Sequence, residues 1–172
     1  MFPIYKGTFE RGDALNTHFP DTTHFHRDHV IQWSKELGRS IDYLETRPEI
    51  DPDKLAYIGF SWGATRGAIL PAVEKRLKTG IFVIGGFYLQ KVLPEVDQVN
   101  FAPRITMPVL MLNGRYDPLF PVGTSQLPMY RFLGTPEQDK RHILYETGHS
   151  VPRTELIKES LNWLDKYLGP VQ

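Results

Sequence analysis

Apolar positions fall into short unbroken runs, separated by stretches in which they recur every three or four residues, and the two kinds of stretch alternate along the chain. The runs are Phe2 to Tyr5, Leu55 to Phe60, Ile81 to Phe87, Val109 to Leu112 and His142 to Tyr145. None shows strict apolar/polar alternation, as expected of strands buried on both faces of a parallel sheet. Between them, Val30, Trp33, Leu37, Ile41 and Leu44 trace an amphipathic helix from Arg27 to Glu45 that ends before Pro48. Trp62 to Leu77, Gly123 to Leu133 and Pro152 to Leu168 read as three more helices, with Pro152 suited to a first turn and Gly169-Pro170 to an end. The stretch Gly7 to Thr23 holds Gly, Asp, Asn and Pro without a period and reads as a loop. Strand runs alternating with helices predict the α/β class: a mostly parallel sheet of about five strands flanked by helices.

Composition narrows the function classes. A chain of 172 residues can bury about 70% of its extended surface, so residues 1–172 are expected to form one domain without disulfide or structural-metal staples. The absence of cysteine excludes thiol catalysis and a disulfide frame. Twenty Lys and Arg balance twenty Asp and Glu with no basic run, which argues against nucleic-acid or anionic-membrane partners and leaves small or neutral substrates. No apolar run approaches the roughly 20 residues that span a bilayer, and Met1-Phe2-Pro3-Ile4-Tyr5-Lys6 lacks a signal-peptide pattern. A cytoplasmic protein is the simplest expectation.

The sharpest motif is Gly59-Phe60-Ser61-Trp62-Gly63, which follows one strand run and opens a helical pattern. A G-x-S-x-G turn needs its glycines because the backbone reverses sharply while helix and strand approach without Cβ clashes, leaving the serine exposed and strained. A serine hydroxyl is a weak nucleophile until a base takes its proton, so the motif requires a histidine and a group to orient it. The run Val109 to Leu112 leads into Asn113-Gly114-Arg115-Tyr116-Asp117-Pro118, and His142 to Tyr145 leads into Glu146-Thr147-Gly148-His149-Ser150. In a parallel sheet these strand ends share one edge, where open α/β folds build their sites. The chain order Ser, Asp, His is the one that accompanies the serine elbow.

On these three segments the sequence resembles the α/β-hydrolase superfamily, specifically its dienelactone-hydrolase, acetyl-xylan-esterase and prolyl-oligopeptidase-like branch. The resemblance implies a reduced α/β-hydrolase fold and a serine esterase for small, short-chain acyl esters, with no cofactor. It implies Ser61 as nucleophile, His149 as general base and then acid, and Asp117 as the group that fixes the imidazole tautomer. The resemblance also implies eight strands, of which this chain is expected to begin at the fourth. Phe2 to Tyr5 would correspond to the fourth strand and pair with Leu55 to Phe60. The loop that completes the oxyanion hole in that superfamily then has no counterpart. The Trp62 amide remains one donor, and amides around Tyr5 and Lys6 are candidate substitutes. An open sheet edge would also favour a homo-oligomer.

Other residues carry weaker signals. Phe87 and Tyr88 are candidate acyl-pocket residues, and Arg115, in the acid loop, could meet an anionic substrate group. A binding or scaffold protein with a dead hydrolase site is the second reading, and thioesterase or weak peptidase activity stays open. A third comes from Thr23-His24-Phe25-His26-Arg27-Asp28-His29, whose H-x-H-x-D-H spacing resembles the metal signature of metallo-β-lactamase-fold hydrolases. His24, His26, Asp28 and His29 could bind zinc and generate hydroxide, although no strand pattern precedes them.

Overall fold

The computed structural model describes residues 1–15 and 20–170; part of the expected Gly7 to Thr23 loop, residues 16–19, lies outside them. Four strands, β1 (Ala56–Phe60), β2 (Thr79–Val83), β3 (Val109–Gly114) and β4 (Lys140–Tyr145), form a parallel sheet in the order β1-β2-β3-β4. Around it lie α1 (His24–Glu45), α2 (Trp62–Arg66), α3 (Leu70–Val73), α4 (Gln98–Phe101), α5 (Leu127–Phe132) and α6 (Arg153–Leu168). Every residue of β2 and β3 is buried, because helices cover both faces. On one face Trp33, Leu37 and Ile41 of α1 share a core with Tyr57, Phe82, Val109 and Met111. On the other, Trp163 of α6 packs with Ile81, Val83, Leu110 and Leu112. No helix of the described residues is long and apolar enough to cross a membrane.

Helix α1 begins at His24, three residues before the expected start, because the Thr23 hydroxyl accepts a hydrogen bond from the His26 amide at 3.1 Å and caps it. The expected helix from Trp62 to Leu77 is two short ones. Pro71 has no amide to continue the ladder, and Gly67 sits so close to the Phe82 ring that a side chain there would collide. The expected helix from Gly123 opens as a wide, π-type turn over Val122–Gln126 before α5. The run Ile81 to Phe87 leaves the sheet at Val83, where Ile84 takes φ 49°.

The expected first strand, Phe2 to Tyr5, is not part of the sheet, so the sheet has four strands among the described residues and β1 is an edge. The reason is where its polar groups go. Pro3 has no amide to give, the Ile4 carbonyl accepts from Arg11 at 2.8 Å, and the Tyr5 carbonyl accepts from the Thr8 amide at 3.0 Å. The segment is folded into a local turn against α1, to which Trp33 donates its indole N–H by way of the Lys6 carbonyl at 2.7 Å.

Candidate functional site

The site assembles at the C-terminal ends of β1, β3 and β4. β1 runs into Ser61, which holds φ 49° and ψ −109°. A non-glycine residue there carries strain on the order of 1–3 kcal/mol, and the surroundings maintain it. The Ser61 amide donates to the Val83 carbonyl at 2.9 Å, and the Ser61 carbonyl accepts from Thr65 at 3.0 Å. Gly59 is required because a Cβ at that position would collide with the Gly63 carbonyl. That carbonyl also accepts the Tyr57 hydroxyl at 2.6 Å, which ties the elbow to the strand beneath it.

Asp117 follows β3 and has a fully buried carboxylate. One oxygen accepts the amides of Leu119 and Phe120 at 2.9 and 3.1 Å. The other lies 2.8 Å from His149 Nδ1, and His149 Nε2 lies 2.9 Å from the Ser61 hydroxyl. A carboxylate can only accept, so Nδ1 carries the proton and Nε2 presents a lone pair to the serine O–H. The structure therefore brings Ser61, His149 and Asp117 into one relay whose geometry suits proton removal from the hydroxyl. The two loops that carry Asp117 and His149 are joined by Arg115 N–H to the Tyr145 carbonyl at 2.8 Å and Tyr116 N–H to the Thr147 carbonyl at 2.9 Å.

The remaining candidates are placed less uniformly. Trp62 is the first residue of α2, where an amide has no acceptor within the helix. In the Tyr5–Thr8 turn, the Lys6 amide donates to Glu36 at 3.0 Å, the Gly7 amide to Arg11 and the Thr8 amide to Tyr5. Lys6 is thus committed inside the chain and not available as an oxyanion donor. Tyr5 packs its ring 5.9 Å from that of Trp62, and burial, with Glu36 adding to it, pushes its phenol up to about 12. Phe87 is a core residue against Phe132, 5.9 Å between rings, and not a pocket residue. Arg115 is paired with Glu146 on the surface and bridges the acid and histidine loops. Tyr88 stands over Phe120, 5.9 Å between rings, and Phe120 leans on His149 at 5.8 Å.

The histidine cluster does not converge. On α1 the four positions spread around the helix: His26 and His29 turn inward and are buried, while Asp28 faces solvent and pairs with Arg27 at 2.7 Å. Both ring nitrogens of His29 face acceptors, the Phe25 carbonyl and Asp13, each at 2.8 Å. Burial, and then the nearby Arg66, pushes His26 down to about 4. Among the described residues no three histidine or carboxylate groups sit together as metal ligands, so the zinc reading of this motif is corrected.

Several residues that position the site gave no motif. Asn113 donates to the Gly85 carbonyl at 2.8 Å, and Gln126 donates to the carbonyls of Gly114 and Phe120 at 3.0 and 2.7 Å. Gln98 accepts the Tyr88 amide at 2.8 Å and donates to the Thr65 carbonyl. A buried amide side chain looks the same in sequence as a solvated one, so the only available signal was the apolar company of Asn113.

Residues 5–150 match the model of the dienelactone hydrolase family. The zinc-bound structure of a cold-adapted esterase from an Arctic intertidal metagenomic library is similar at 28% identity and a TM-score of 0.66, over 81% of this chain and 58% of that one. The fold is shared with the acetyl xylan esterase of a Paenibacillus species at 20% identity and a TM-score of 0.66, over 81% and 54% of the two chains. It is shared equally with acetyl xylan esterase 1 of a Thermoanaerobacterium species, at 18% identity and a TM-score of 0.66, over 91% and 60%. The chain thus spans less than two thirds of the length of these proteins. No curated protein matches the sequence.

Proposed function

Because the chain belongs to the dienelactone hydrolase family, we propose that it is a serine hydrolase that cleaves small, short-chain carboxylic esters through an acyl-enzyme. The observation that carries this reading is the continuous relay from Ser61 through His149 to the buried Asp117, at 2.9 and 2.8 Å. In the first step His149 Nε2 takes the Ser61 proton as Oγ attacks the ester carbonyl. Asp117, held by two amides, stabilises the imidazolium that forms. The tetrahedral oxyanion develops beside the Trp62 amide. Collapse breaks the C–O bond, and His149 returns the proton to the departing alkoxide. Water, deprotonated by the same nitrogen, then releases the acid and restores Ser61.

The second oxyanion donor limits the rate. Of the Tyr5–Thr8 amides, only that of Tyr5 has no acceptor among the described residues, and loss of one donor lowers turnover by about a hundredfold to a thousandfold. This observation is what favours the second reading, a catalytically weak hydrolase-like binding protein. Turnover of a short-chain nitrophenyl ester by wild type, Ser61→Ala and a chelator-treated sample separates the readings. The esterase reading expects loss in Ser61→Ala alone, together with loss of fluorophosphonate labelling. Equal background in all three samples leaves the binding protein, and loss with chelator alone revives metal-assisted hydrolysis.

The same reading extends to a partner. The Ser61 amide and the Leu55 carbonyl bond toward β2, so Ala56, Ile58 and Phe60 direct their amides and carbonyls out from the open edge. β1 has neither the charge nor the proline that guards edges. A second copy fits here. Antiparallel pairing centred on Ile58 sets Ala56 opposite Phe60 of that copy and places all the half-exposed Ile58 and Phe60 side chains on one face.

A further inference from the structure

Arg66, in the last turn of α2, is 2% exposed and makes no ion pair among the described residues. Its guanidinium carbon lies 5.3 Å from the ring centre of Trp33, 5.8 Å from that of Trp62 and 5.1 Å from that of Tyr88. Its Nε has no partner among the described residues. A desolvated cation without a carboxylate is costly to hold, and a fold that needed only bulk there would fill the space with leucine or methionine. A planar guanidinium, unlike a point-charge ammonium, presents flat faces to several rings at once.

The rings it touches lead to both ends of the proposed relay. Trp62 is joined covalently to Ser61, and its ring is 4.9 Å from that of Trp33. On the other side, Tyr88 contacts Phe120 at 5.9 Å and Phe120 contacts His149 at 5.8 Å. Gln98 adds a second tie between α2, at the Thr65 carbonyl, and the Tyr88 amide.

We propose that Arg66 is a positioning residue of the esterase site: its guanidinium clamps Trp62 of the nucleophile turn to Tyr88, and through Phe120 holds the His149 imidazole in line with Ser61. This inference rests on the serine-hydrolase reading above. The clamp sets the distance between nucleophile and base, so its removal lowers kcat and the rate of Ser61 labelling while leaving ester binding in place. A misplacement near 1 Å lowers rate by about a hundredfold.

The test compares full-length wild type, Ser61→Ala, Arg66→Met, Arg66→Lys and Phe120→Leu in ester turnover, fluorophosphonate labelling rate and thermal melting. The expected result is a kcat lower by about tenfold to a hundredfold in Arg66→Met with KM within about twofold. Arg66→Lys should recover only part of the loss, since it restores charge without the plane. Phe120→Leu, at the far end of the ring path, should show the same kcat-specific loss, and it decides the matter if Arg66→Met does not fold. A melting temperature lowered in Arg66→Met with wild-type kcat and labelling would assign Arg66 to stability alone and overturn the proposal. So would a wild-type kcat in Phe120→Leu. If Ser61→Ala keeps wild-type turnover, the serine-hydrolase reading itself fails, and that result is distinguishable because it needs no Arg66 variant.

Discussion

Three polar side chains sit wholly or partly out of solvent, and each does something different with that burial. Asp117 has both oxygens occupied by two amides and an imidazole. Arg66 is enclosed by aromatic rings. His142 stacks on Tyr130 at 5.8 Å with Nε2 unpaired, and burial pushes it down to about 4 from 6.5. The last has a consequence for acid stability. Above pH 6.5 the imidazole is neutral in folded and unfolded chains, and its contribution is fully present. As pH falls from there toward 4, the unfolded chain takes up a proton that the folded one refuses, so stability declines. His26, also down at about 4, acts in the same window and direction. Urea melts at pH 7 and pH 4.5 should therefore show a loss of stability that is smaller in His142→Phe, by one proton's share of the slope.

At the scale of elements, the site depends on how closely the loops after β3 and β4 approach. Gly114 makes that approach possible, since a Cβ there would collide with the Gly148 carbonyl and lie 2.6 Å from that of Thr147. Gly114→Ala should destabilise the fold by about 1–3 kcal/mol in a denaturant melt and lower turnover together with it, by driving Asp117 and His149 apart. The alternation of strands and helices was legible in the sequence because burial on both faces leaves unbroken apolar runs, as in β3. The loss of the Phe2 to Tyr5 strand was not, since four apolar residues look alike in a ladder and in a turn braced by Arg11 and Thr8. Nor was the break between α2 and α3, where the close fit of Gly67 against Phe82 decides the backbone path.

Across the whole molecule, the sheet has two edge strands, β4 and β1, and the apolar positions of β1 are the more exposed. There Ile58 and Phe60 are 47% and 49% exposed. The flank of α6 that carries Glu159 pairs with Arg141 of β4 at 3.0 Å, so the opposite flank, with the exposed Ile157 and Leu161, turns toward β1. Each is an apolar strip left open to solvent. If a second copy covers them, light scattering should show concentration-dependent association of the wild type, and Ile58→Lys should shift it to monomer. A monomer at all concentrations would remove the second copy from the account.

The amino-acid sequence by itself determined the α/β alternation, the Gly59–Gly63 elbow and the order of Ser61, Asp117 and His149, because periodicity and turn chemistry are written between near neighbours. The tertiary structure alone decided which amides stay available, whether Phe87 lines a pocket or fills the core, and that Arg66 is buried without an anionic partner among the described residues. Those outcomes depend on groups far apart in the chain, as Ser61 and His149 are, 88 positions from one another, and such partners are chosen by packing, which no local pattern encodes.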